Sequence, residues 1–327
     1  MRRGFSLVEL SVAQVISLVV IAGMLSLFVP MAQGLARNEG SVEAQVRLRE
    51  ASHVLLRDVQ GLGGAEGGGG ALFVVVSDGG ANGPDSFRAF RREHSVCTES
   101  LAEPGILAVT ALTSVGTATV APAAGVCPLL QPSCAARFVV GRRLLVKNPA
   151  GVALPLSATS VDTAACTISF GATSNTGAAS EFNRIYSLAL TDYAGVLATL
   201  GPTTSSQSQI VIGSTFEYRV RSDTLERSVD GNAFEAVLPG VYDIQVVPAY
   251  DVDRNGVVSD GERDVNNALR LAPSSFFGAN ISIVTFTSAK GAATVAPPTT
   301  LANRHFGNAP RERRYAGSSI FVAARNP

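Results

Sequence analysis

Near the start of the chain stand Gly4-Phe5-Ser6-Leu7-Val8-Glu9-Leu10, followed by SVAQVISLVVIAGMLSLFVP to Pro30. No side chain from Leu10 to Ala36 is charged, and that run exceeds the roughly 20 residues a helix needs to cross a hydrocarbon core. Arg2 and Arg3 precede it, so the basic end stays cytoplasmic and the body that follows is exported. A secretory signal also starts basic, but its apolar core is only about 7–15 residues long and ends in a small-x-small exit. This run is longer and lacks that exit. A plain signal-anchor helix is the simpler alternative, and Glu9 argues against it. A carboxylate in an apolar span costs on the order of 2.5–3.5 kcal/mol at the centre and less near an interface, so it reads as a functional group. A cut after Gly4 would give Phe5 a new α-ammonium. That cation, on the same or a neighbouring copy, would neutralise Glu9.

Short basic leader, Gly4, Phe5, Glu9 and an uncharged span together resemble the processing site of type IV prepilins and pseudopilins. The resemblance implies that a membrane-embedded aspartyl peptidase cuts after Gly4 and methylates Phe5. It also implies that Glu9 guides assembly of the cleaved chain into a filament.

Beyond Pro30 the chain turns polar but keeps a helical pattern. Ala44, Leu48, Ala51, Leu55, Val59 and Leu62 step by three or four and form one apolar stripe. Arg47, Arg49, Glu50, Arg57 and Asp58 fill the other positions, and Gly61, Gly63, Gly64 and Gly67 to Gly70 end the helix. A helix from Phe5 to about Gln60 would be roughly 80 Å long. Pro30, Gly34 and Gly40 are the expected kink or melting points. The stripe is expected to pack against the protein's own head.

From Ala71 onward, short β-rich runs alternate with turn residues. The expected strands are Ala71–Val76, Arg137–Val146, Thr167–Phe170, Gln209–Ile212, Phe216–Val220, Tyr242–Val247, Ile281–Thr287 and Ser319–Ala323. Phe216–Val220 and Leu225–Val229 flank a short Arg-Ser-Asp-Thr turn and read as a hairpin. Pro248 ends the next strand or puts it at an edge. The whole is an α+β chain: leader 1–4, transmembrane helix 5–30, amphipathic stem 31–65 and a β-rich exported head 66–327, a pilin-like plan. Tyr218-Arg219-Val220, Leu225-Glu226-Arg227, Gly240–Val246, Tyr250 with the acidic loop after it, Arg313-Arg314-Tyr315 and Arg325-Asn326 resemble, in that order, PilW-type minor pilins.

Composition sets outer limits. Of 327 residues, 46% are hydrophobic and 16% charged, which excludes a wholly disordered chain. The 26 basic and 26 acidic side chains cancel, so no global field draws nucleic acid or anionic membrane. Only one run is long enough to span a bilayer, which excludes a polytopic membrane protein.

Asp251-Val-Asp253-Arg-Asn255-Gly256-Val257-Val-Ser259-Asp-Gly-Glu262 fits the twelve-residue EF-hand calcium loop. Oxygen ligands fall at positions 1, 3, 5, 9 and 12, a backbone carbonyl at 7, and Gly at 6 for the sharp turn. Strand-like Ile244–Val247 before it makes this an isolated Ca²⁺ loop rather than a helix pair. Its expected affinity is extracellular-grade, about 10⁻⁴–10⁻³ M, and its job is to stiffen a long loop. A solvated acidic turn is the other reading.

Cys97, Cys127, Cys134 and Cys166 are even in number and lie in an exported body, so two disulfides are expected. Three connectivities are possible. Cys127–Cys134 is favoured, which leaves Cys97–Cys166. His53, His94 and His305 are scattered, and no nucleophile elbow, phosphate loop or His-Glu-x-x-His occurs. The reading is therefore not an enzyme. Phe87-Arg88-Ala89-Phe90-Arg91-Arg92 and Arg311–Arg314 could grip DNA phosphate with aromatics for stacking; a strand with solvated arginines is the plainer account.

The function expected from the resemblance is a minor pilin with a structural role in starting or capping a type IV pilus, supporting adhesion, twitching or DNA uptake. Its expected partners are other pilins and minor pilins, the prepilin peptidase and the inner-membrane assembly platform. It would sit single-pass in the inner membrane, with the head exported, and in the pilus after assembly. A pseudopilin of a type II secretion system is the nearest alternative. A filament-displayed DNA-binding or calcium-dependent adhesion module is an alternative of another class.

Overall fold

The computed structural model describes residues 7–59, 73–77, 79, 83–92, 106–112, 117–120, 127–130, 138–147, 153–170, 208–253, 255–264, 276–288, 300–301, 304–305 and 313–323. One long helix and a β-rich body with antiparallel sheets make it an α+β protein. Helix α1 is Leu7–Val59, about 80 Å at 1.5 Å per residue. It runs unbroken through Pro30, Gly34 and Gly40, so the expected melting points stay helical. Tertiary support replaces what propensity lacks at Gly40, whose carbonyl accepts a bond from the Thr287 hydroxyl at 3.1 Å. Arg57 in the last turn complements the negative end of the helix dipole.

The strands follow in chain order. They are β1 Phe73–Ser77, β2 Ser86–Arg92, β3 Ile106–Leu112, β4 Thr117–Val120, β5 Arg143–Lys147 and β6 Ala153–Ser157. Next come β7 Ser160–Asp162, β8 Thr167–Ser169, β9 Ser208–Arg221, β10 Thr224–Val229, β11 Glu235–Pro239 and β12 Val241–Tyr250. The last are β13 Phe276–Ser288, β14 Thr300–Leu301, β15 Arg304–His305 and β16 Arg313–Ala323.

Strand β9 organises the larger, 11-stranded sheet. Its first half pairs with β3 and β5, and its second half with β2 and β10. The sequence reading split β9 at Gly213-Ser214. Sheet pairing overrides that weak local break, since Gly213 and Ser214 sit opposite Arg92 and Arg91. The expected β9–β10 hairpin is present. Its two-residue turn, Ser222-Asp223, has φ of 49° and 60°, matching the primed turn whose twist suits paired strands. The strand expected at Arg137–Val146 starts only at Arg143, because Val139–Arg142 forms a turn with Gly141 at φ 85°.

The second sheet has the order β12-β13-β16, all antiparallel. Pro248 does lie in an edge strand, where its missing N–H costs no ladder bond. Helix α1 packs across β13 and β16. The stripe read from sequence is the packed face: Ala44, Ala51, Leu55 and Val59 are buried and Leu48 is half-buried. Burying Leu55 and Val59 stabilises the joint by about 1.5–3 kcal/mol each. The core between the sheets carries a line of stacked rings. Phe276–Phe73, Phe73–Phe87 and Phe87–Tyr218 have centroids 5.4, 5.1 and 5.5 Å apart.

The disulfide is a correction. Cys127 bonds Cys166, 39 residues away, in place of Cys134. Cys166 closes the β7–β8 turn at φ 54°, where the Asp162 carboxylate accepts from the Ala164 and Ala165 N–H groups. Cys127 opens a short turn that buries Leu129. Tertiary packing of these turns outweighs nearness in sequence. A loop of that length stabilises by about 4 kcal/mol through chain entropy. Cys97 and Cys134 lie outside the described residues.

Candidate membrane anchor and metal-binding loop

The first half of α1 is exposed throughout. Leu7 is 82% exposed, Leu18 65% and Leu27 75%, so this is a candidate membrane-spanning helix near the N-terminus. Glu9 lies in its first turn. Within it the hydroxyls of Ser11 and Ser26 donate to Leu7 and Gly23 carbonyls at 3.0 and 2.7 Å, the local pairing that suits a polar group with no water at hand. Gly4 and Phe5 lie outside the described residues.

The second half of α1 is fixed to the head by polar bonds as well as by the stripe. Thr285 donates to the Ala44 carbonyl at 2.9 Å, one turn from the Thr287–Gly40 bond. Arg47, paired to Glu43 at 2.6 Å, lies against Gly240, whose φ is +79°. Asp58 is buried on the stripe face, where the Tyr218 hydroxyl donates to its Oδ2 and Arg227 reaches the same oxygen at 3.1 Å. Burial first, then the bond to the Asp58 carboxylate, pushes the Tyr218 hydroxyl well above its usual pKa. The stack of rings thus ends on an ion pair at the base of the helix. The sequence reading placed Asp58 among the outward positions. Its spacing of three from Leu55 and seven from Ala51 was the available signal that it shares their face.

The twelve-residue loop follows β12. Its ends are tied by a bridge between Ala249 and Arg263 and by the Asp264 N–H to the Pro248 carbonyl at 2.8 Å. Asp251 takes the Asn255 and Gly256 N–H groups at 3.0 and 2.9 Å, and Asn255 Oδ1 takes the Val257 N–H at 2.7 Å. Gly256 sits at φ +79°, the conformation its place in the loop demands. Glu262 returns in a short 3₁₀ turn, Asp260–Glu262. Its Oε1 accepts from Val252 N–H at 2.8 Å and its Oε2 from Ser259 N–H and hydroxyl at 2.9 and 2.8 Å. The Ser259 and Val252 amides hold its carboxyl below the usual pKa. One oxygen each from Asp251, Asp253 and Glu262 lie within 4.8 Å of one another, a donor set able to hold a metal ion. Of the six residues singled out from sequence, the structure brings the three carboxylates together; Asn255, Val257 and Ser259 lie in the same loop. Carboxylate oxygens are the hard ligands that cations such as Ca²⁺ and Mg²⁺ take.

A second polar cluster was not foreseen. Asp243 on β12 is fully buried; Arg304 meets it at 2.6 Å and Gln245 donates to it at 2.8 Å. Gln245 also reaches the Gly83 carbonyl, and Asp85 nearby accepts from Gly79 and Val246 N–H groups. Burial pushes the Asp243 carboxyl up to about 6, against the pull of Gln245 and Arg304 and with the Asp85 charge adding to it. The cluster ties Gly79, Gly83, Asp85 and β15 to β12. Alternation on β12 gave no hint of it, since all ten positions of that strand are buried or half-buried.

The basic-aromatic stretch 87–92 is placed differently from a stacking platform. Phe87 and Phe90 are buried, and Arg88 is held by Glu217 at 2.7 Å. The side chains of Arg91 and Arg92 lie outside the described residues. Comparison with protein-family models, with curated proteins and with solved structures finds no match in any of the three.

Proposed function

We propose that this chain is a structural subunit of a filament of the type IV pilus class, a minor pilin of PilW type. The observation that carries the reading is the division of labour along one helix. Its first half is apolar and exposed on every side, while one face of its second half is sealed into a β-rich head. A helix so built bundles with apolar neighbours at one end and displays a folded body at the other, the pilin-like plan. The peptidase cuts after Gly4 and methylates Phe5, and Glu9 attracts the Phe5 ammonium of a neighbouring copy to set the axial stagger. Before assembly the chain spans the inner membrane once, with the head exported. Other pilins and the assembly platform are its partners.

In the same reading Asp251, Asp253, Asn255, Val257, Ser259 and Glu262 bind Ca²⁺, which stiffens the loop between β12 and β13. The test of the filament role is Glu9→Leu in the producing cell. Cleavage should persist while the protein disappears from sheared filaments. Undiminished incorporation of the variant would overturn the role given to Glu9.

A further inference from the structure

Strand β16 is the edge of its sheet, and its outer side has no strand partner among the described residues. Exposed edges are usually guarded by a charge, a proline or a bulge. The centre of β16, Ala316-Gly317-Ser318-Ser319-Ile320, carries neither charge nor proline, and its register with β13 runs without a bulge. Between this edge and the flank of α1 lie two adjoining hollows of about 270 and 430 Å³ that share Gln45 and Leu48 as walls. Together they form one groove from Ser41 to Leu56, about 22 Å along the helix, the length of six or seven residues of extended chain. Ala316 and Ser318 floor it with small side chains.

The charge around the groove names its occupant. Among the described residues no carboxylate lines either hollow, whereas Arg49 and His53 line the larger one, and Arg57 is exposed one turn beyond His53. We propose that this groove docks an acidic, extended segment of another polypeptide. That segment adds a strand to the edge of β16 through main-chain hydrogen bonds and lays alternate carboxylates along Arg49, His53 and Arg57. The inference depends on the edge and its charge, not on the filament reading.

The test uses the full-length protein in detergent micelles and the heptapeptide Glu-Val-Glu-Val-Glu-Val-Glu as probe. Controls are the peptide with Lys for Glu, and the acidic peptide N-methylated on alternate residues, which keeps its side chains but loses its strand donors. Fluorescence anisotropy should show saturable binding of the acidic peptide, at least about tenfold tighter than either control. Amide exchange should slow at 316–320 when it binds. Arg49→Glu with His53→Glu, both on the surface, should weaken binding at least about tenfold with an unchanged circular dichroism spectrum. No binding, equal binding of the lysine peptide, or binding that leaves 316–320 unprotected would each overturn the proposal. Protection of 316–320 by self-association without peptide would assign the groove to a second copy of this chain and overturn the acidic partner.

Discussion

Replacing Tyr218 by Phe removes one oxygen and leaves the ring stack with Phe87 intact, which makes it a clean probe of how the helix is held. In the native chain the Asp58 carboxylate, almost fully buried, takes the Tyr218 hydroxyl and one Arg227 N–H. A hydrogen bond to a charged group contributes about 1.5–3 kcal/mol, and its loss leaves the carboxylate short of a partner it cannot replace with water. Arg227 stays, and its side chain is 33% exposed, so its attraction is partly screened. The expected cost of Tyr218→Phe is therefore about 2 kcal/mol, or roughly 4–8 °C in the melting temperature of a body this size. Asp58→Asn should cost a similar amount, and the double variant should fall well short of the sum, because both changes break the same bond. The assay is thermal and urea unfolding of the full chain in mild detergent, followed by circular dichroism. A Tyr218→Phe variant within about 0.5 kcal/mol of the parent, or full additivity with Asp58→Asn, would refute the claim that this bond fastens the stem.

The proposed Ca²⁺ site predicts that 10 mM Ca²⁺ stabilises the protein by about 1–2 kcal/mol if the affinity is about 10⁻³ M; Asp251→Ala should erase that shift, and equal shifts from Mg²⁺ in both proteins would count against the site. Asp243 predicts a pH effect whose sign follows from its raised pKa. Its contribution is fully present below its unfolded value near 4 and is lost as pH rises through about 6, a swing on the order of 3 kcal/mol. Asp243→Asn should flatten that slope in melts from pH 4.5 to 7.5, and an unchanged slope would show that the pH response lies elsewhere. Gly240→Ala should destabilise by about 1–2 kcal/mol, since φ is +79° there and a Cβ would run into the Arg47 guanidinium. Arg47→Ala in that background should relieve only the contact part, so complete rescue would mean the backbone is not strained.

The helix was legible because period and composition agree over fifty residues. The stripe through Ala44, Leu48, Ala51, Leu55 and Val59 needed no tertiary information. The β9–β10 hairpin and the twelve-residue loop were legible for a related reason: each is a local pattern whose turn chemistry sits next to its strands. What escaped depends on chain segments far apart. Gly213-Ser214 looked like a break until β2 was seen beside it, and Cys166 lies 39 residues from the cysteine it bonds. Charged residues misled in the same way. Asp58 was placed off the apolar stripe and Asp243 was not singled out, yet Arg227 lies 169 residues from the one and Arg304 lies in another element from the other. A lone carboxylate cannot announce a partner that distant. For Phe87 and Phe90 the plainer reading holds: the stretch is a strand, and the sheet buries both rings.

The central claim is that Gly4-Phe5 is a processing site on a filament subunit. Intact mass and N-terminal sequence of the protein purified from membranes, with and without the prepilin peptidase, test it most directly. The account predicts a chain beginning at N-methylated Phe5 when the peptidase is present and at Met1 when it is absent. A Met1 start in both strains would contradict it and reduce Glu9 to an unexplained charge in a membrane anchor.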